Sequence, residues 1–127
     1  MTFFFDANIG RPLVMGLRGF GEDVLHYSER FDEGVIDEEW LEAVGKEGLF
    51  LVTRDKRIFR RPLQRDAWRR HRVGAFVLSG KEMGTWNQVL QLVRAWPTIK
   101  RLAEETIRPF AFKFDRHGNL TTQIPLP

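Results

Sequence analysis

The feature that most constrains this chain is the spacing of its apolar runs. They are short, and the segments between them repeat apolar residues at helical intervals. Phe3-Phe4-Phe5, the stretch Asp23-Val24-Leu25-His26-Tyr27, Leu49 to Thr53, and Val73 to Leu78 read as strands. Between them, Gly10-Arg11-Pro12 opens a helix with Leu13, Val14 and Leu17 on one face, and Asn8 lies in its N-cap region. A second helix starts near Asp37, with Trp40, Leu41 and Val44 on its apolar side. Arg54 to Arg72 reads as a loop and a basic helix. Trp86 to Trp96 reads as a further helix with Val89, Leu90 and Val93 inward. Pro97 is expected to break that helix and start another that buries Ile99, Leu102 and Ala103. Strands alternating with helices predict an α/β fold, with a mostly parallel sheet and helices on both faces. Phe110, Phe112 and Phe114 alternate before a turn at Arg116-His117-Gly118-Asn119, which predicts a C-terminal β-hairpin over about 109–124.

The 127 residues suit a single domain with its core in about 1–108. There is no cysteine, which excludes a disulfide framework, a cysteine zinc site and a thiol nucleophile. No apolar run approaches the roughly 20 residues that span a bilayer, and the start has no cationic leader, so a cytoplasmic location is expected. Gly16 to Gly21 follows a helix rather than opening one, unlike a phosphate-binding glycine loop.

Two of the apolar runs end on an aspartate, Asp6 and Asp55. In parallel strands these carboxylates emerge at one edge of the sheet, where open α/β sheets place ligands. Hard oxygen ligands suit Mg²⁺ or Mn²⁺. The alternative is that each aspartate caps the helix that follows. Asp37 sits where an N-cap belongs, with Glu38 and Glu39 in the first turn and Ile36 and Leu41 placed as a hydrophobic staple. Spacing does not choose between Asp37 and Glu38 as an inward ligand. Charge is unevenly distributed: residues 1–50 carry four Lys or Arg against eleven acids, whereas residues 51–72 carry nine against two. This basic stretch reads as a docking face for a polyanion. Arg61, Arg65 and Arg69 recur at helical spacing and would form one ridge. Trp40, Trp86 and Trp96 read as core, and Trp68 as a core anchor rather than a base-stacking platform. His26, His71 and His117 read as packed or solvated.

Asp6-Ala7-Asn8-Ile9 resembles the opening strand end of PIN-domain nucleases, and Thr53-Arg54-Asp55 with Phe59 resembles their third-strand signature. Ile36 to Leu41, followed by Leu49 to Lys56, is similar to the compact PIN-like group, many of whose members are toxins of VapC type. The resemblance covers residues 1 to about 80. It implies a three-layer α/β/α fold and a Mg²⁺- or Mn²⁺-dependent ribonuclease, with the toxin of a toxin–antitoxin pair as the expected role. Asp6, Asp37 and Asp55 then match the acidic ligands, with Asn8, Glu38 and Thr53 in support. Arg54, Lys56, Arg57, Arg61, Arg65 and Arg69 would contact RNA, and an acidic antitoxin segment or a second copy in a homodimer is a further expected partner. One departure is that Lys56, Arg57, Ile58 and Phe59 stand where many PIN nucleases have a fourth acid. A lean site holding one ion firmly is the expectation. Two other readings are a binding module that keeps the fold without the metal, and a phosphohydrolase with Asp6 as nucleophile.

Overall fold

The computed structural model describes residues 1–126. Five parallel strands, β1 (Phe3–Phe5), β2 (Val24–His26), β3 (Phe50–Thr53), β4 (Gly74–Leu78) and β5 (Phe110–Phe114), form the sheet, with β6 (Leu120–Gln123) antiparallel at one edge. The order is β2-β1-β3-β4-β5-β6. The tail hairpin thus extends the main sheet. Four α-helices complete the fold: α1 (Arg11–Gly19), α2 (Asp37–Lys46), α3 (Pro62–Arg70) and α4 (Thr85–Glu105).

Strand pleating sorts the side chains onto two faces. Phe3, Phe5, Phe50, Val52, Phe76, Leu78 and the three β5 phenyl rings face α1 and α4. Phe4, Leu51, Ala75 and Val77 face α2 and α3, where Trp40, Leu41, Val44, Ala67 and Trp68 meet them. The result is the expected three-layer α/β/α arrangement. Each fully buried phenyl ring contributes on the order of 2 kcal/mol relative to exposure. This two-sided burial is why the strands read as continuous apolar runs.

Several local expectations are corrected. Pro97 does not end a helix, because α4 runs unbroken through it. Leu92, Ala95 and Trp96 before it and Ile99, Leu102 and Ala103 after it bury on the same sheet face. That packing outweighs the loss of one backbone hydrogen bond. The buried row of α4 also differs from the expected one: Val93 is 57% exposed, and Trp86, expected in the core, is 70% exposed in the first turn. Trp68 is fully buried, and its indole N–H donates to the carbonyls of Val73 and Phe110. The cap of α1 is Gly10, which leaves Asn8 free for another role. The cap of α2 is Ile36, so Asp37 is its first helical residue rather than its N-cap.

The crossovers β3–α3–β4 and β4–α4–β5 step in the same direction across the sheet, yet α3 and α4 cover opposite faces. The α4 connection therefore has the hand opposite to the one the other three crossovers share. It carries Trp96 back across the sheet onto Phe3, with ring centroids 4.7 Å apart. Strand order reverses between β1 and β3: the chain leaves β1 outward to β2 and returns to β3 on β1's other side. Ligand crevices of open α/β sheets form at such a switch point.

Candidate active site at the strand-order reversal

Asp6 follows β1 directly and is only 8% exposed. One carboxylate oxygen, Oδ2, accepts the Thr53 hydroxyl at 2.7 Å and the Asn8 amide at 3.3 Å. The other accepts the Ala7 backbone N–H at 2.6 Å. Thr53, the last residue of β3, is fully buried and also accepts the Asp55 N–H at 3.0 Å. Asn8 accepts the Arg54 N–H at 3.1 Å, so it ties the ends of β1 and β3 together. Parallel pairing of Phe5 with Val52 makes this possible by ending both strands at the same level.

Burial pushes the Asp6 carboxyl above its ordinary range. The hydrogen bonds from Thr53 and Ala7 oppose that shift, whereas the nearby Asp37 and Asp55 carboxylates add to it. Asp37 and Asp55 are thus each within electrostatic reach of Asp6. Asp37 shares a cleft of about 210 Å³ with Asp6, Tyr27 and Trp40, and is held by the Trp40 indole N–H at 3.0 Å. Glu38 does not line that cleft. Glu33, from the loop before α2, does. The sequence signal for Glu33 was weak, because loop acids carry no periodicity.

Asp55 caps the 3₁₀ turn Lys56–Phe59 by accepting the Arg57 backbone N–H at 2.9 Å. The Arg57 guanidinium reaches it as well, at 2.9 Å through Nε. Burial alone would raise the Asp55 carboxyl, but both Arg57 contacts outweigh burial and hold it below the ordinary range. Among the described residues, no three acidic or histidine side chains group closely enough to hold a metal ion as they stand. The chemistry of the donor set nonetheless fits a hard divalent cation. Asp6 is a buried carboxylate with two further aspartates within electrostatic reach, and it has no cationic side chain among its partners.

The basic residues are divided in role. Lys56, Arg57 and Arg61 are exposed beside Asp55, whereas Arg54 turns away and is half-buried. On α3, Arg65 and Arg69 line one shallow surface with Asp66 between them, and Asp66 pairs with Arg69 and Arg70. His26 is buried; its Nδ1 accepts the Ser28 N–H, so its Nε2–H donates to the Ile9 carbonyl at 2.7 Å. This fully engaged ring is structural.

A mostly parallel sheet, two helical layers, and aspartates just beyond the two strands that flank the order reversal define an α/β domain with an acidic strand-end edge. The chain belongs to the PIN-like domain family: residues 1–80 match the family described as "PIN like domain". No curated protein and no solved structure matches it. PIN-like domains are nuclease-type modules. No described helix is long and apolar enough to cross a membrane.

Proposed function

We propose that this chain is a metal-dependent endoribonuclease with Asp6, Asp37 and Asp55 as its acidic ligands. One observation carries the reading: the carboxylate at the strand-order reversal is buried, has two further aspartates within electrostatic reach and has no cationic side chain among its hydrogen-bond partners. Mg²⁺ or Mn²⁺ bound there would supply charge neutralisation at the scissile phosphate and a water of lowered pKa. The chain's own residues do the positioning. Thr53 and Asn8 fix both the place and the rotamer of Asp6, and Trp40 fixes Asp37. Glu33 lines the same cleft and would supply the charge missing after Asp55. Lys56, Arg57, Arg61, Arg65 and Arg69 would hold the phosphates of the strand, because guanidinium forks match phosphate bidentately.

A toxin role within a toxin–antitoxin pair is the finer form of this reading, in which an acidic antitoxin segment would cover the same basic face. The contacts between Asp55 and Arg57 favour a second reading, a binding module that keeps the fold without holding metal. A phosphohydrolase with Asp6 as nucleophile would not need the run of nine cationic residues over 51–72.

The test is cleavage of a mixed-sequence RNA with Mg²⁺ or Mn²⁺, with and without chelator, for the native chain and for Asp6→Asn and Asp55→Asn. Each substitution is expected to lower the rate at least about 100-fold, as losses around metal sites do. Activity that survives both substitutions, or survives chelation, would refute the mechanism. Absence of cleavage together with absence of Mn²⁺ binding would establish the binding module.

A further inference from the structure

Beyond the acidic cleft, a second pocket of about 370 Å³ opens between the C-terminal ends of β3 and β4. That size lies at the lower end of small-molecule sites. Its lining carries four cations, Arg54, Lys56, Arg57 and Lys81, against the single acid Asp55. Asp55 is already engaged by Arg57.

Arg54 is the informative member. Its guanidinium lies half-buried, and its partners are neutral: the Gln91 side-chain carbonyl at 2.8 Å, the Gly80 carbonyl at 3.1 Å and the Met83 sulfur at 3.3 Å. No carboxylate lies among those partners. A desolvated charge without a counter-charge is costly, and an anion in the pocket would relieve it. Three donors are used in these contacts, which leaves two of the five guanidinium N–H groups available.

The surroundings hold Arg54 in that pose. Gln91 is fully buried in α4, and its amide N–H groups donate to the carbonyls of Ser79 at 2.6 Å and Asp115 at 2.9 Å. It therefore joins Arg54 to the ends of β4 and β5. Gly80, with φ +130°, makes the tight turn that points its carbonyl at Arg54. Ser79 lines the same pocket and carries a buried hydroxyl with no hydrogen-bond partner among the described residues.

We propose that this pocket, which adjoins the proposed metal site through Asp55 and Asn8, is a phosphate subsite that binds the phosphate of a nucleotide flanking the scissile bond. Arg54 and Lys81 would supply the charge, with Gln91 as a positioning residue. The proposal rests on the nucleic-acid reading of the acidic edge, but its test requires neither metal nor cleavage.

The full chain is titrated in EDTA with inorganic phosphate, the dinucleotide UpU and its 5′-phosphorylated form pUpU, following backbone amide shifts by NMR. Saturable binding centred on Ser79, Gly80 and Lys81 is expected. Lys81→Ala, at an exposed position, and Arg54→Gln should each weaken it about tenfold, the scale of one charge-assisted hydrogen bond. Tighter binding of pUpU than of UpU assigns the subsite to a terminal phosphomonoester, and equal binding assigns it to an internal diester. Asp6→Asn should leave phosphate binding in place. No saturable binding, binding unchanged in Lys81→Ala, or displacement by acetate as readily as by phosphate would overturn the proposal. The last result would point to an acidic protein segment instead. Failure of RNA cleavage would leave this result unaffected and would bear only on the acidic cleft.

Discussion

At the scale of single residues, Asp6 is held in a place unfavourable to its own charge. Burial and the neighbouring Asp37 and Asp55 all disfavour the carboxylate. Asp6→Asn removes that penalty and keeps a side-chain oxygen to accept from Thr53. In metal-free buffer the substitution should raise the melting temperature, by roughly 4 °C for each kcal/mol relieved. A melting temperature that falls would show that the hydrogen bonds outweigh the charge. Glu22 illustrates the opposite balance. Its carboxylate accepts from Lys100 and from the Trp96 indole, and these bonds hold it below its ordinary value near 4.5. A folded-state value lower than the unfolded one stabilises above about pH 4.5, and that contribution is lost as pH falls through the folded value. Glu22→Gln should therefore lower stability at neutral pH and flatten the acid limb of a melting-temperature profile from pH 7 to pH 3. Identical slopes for the two proteins would count against the linkage.

At the scale of elements, α4 shows where local rules fail. Pro97 cannot donate to the helix ladder, yet the helix continues because residues on both sides of it are buried together. Pro97→Ala restores that donor at an exposed position and should stabilise the fold by about 1–3 kcal/mol, measured by urea denaturation. No gain would mean that α4 is already distorted around the missing bond in a way packing prefers. The parallel strands and their terminal aspartates were legible because doubly buried strands are apolar at every position and end sharply at the first acid. The interruption at Pro97 was misread because a proline rule is local and the forces that overrule it are not. Trp86 was misread because an aromatic ring on an apolar-looking face gives no sign of which residues the sheet meets. Gln91 was invisible: its partners Arg54, Ser79 and Asp115 are distant in the chain, and a lone glutamine in a helix has no signature.

At the scale of the whole molecule, the phenyl-lined face of the sheet has two covers. One is α1, inside the span matched to the family; the other is α4, outside it. Phe3 and Phe5 pack against Trp96, and Phe50 and Phe76 against Phe110. A chain cut to residues 1–80 would leave these rings to water and β4 as an unpaired edge. Such a fragment should lack a cooperative thermal transition and should bind a hydrophobic dye; a sharp transition would show that α1 alone suffices. The residues that declare kinship in this chain are therefore expected to depend on the remainder for their fold. What marks ancestry is written in the first eighty residues. What keeps those residues dry is supplied by the remainder, carried back to them by a single helix crossing against the prevailing hand.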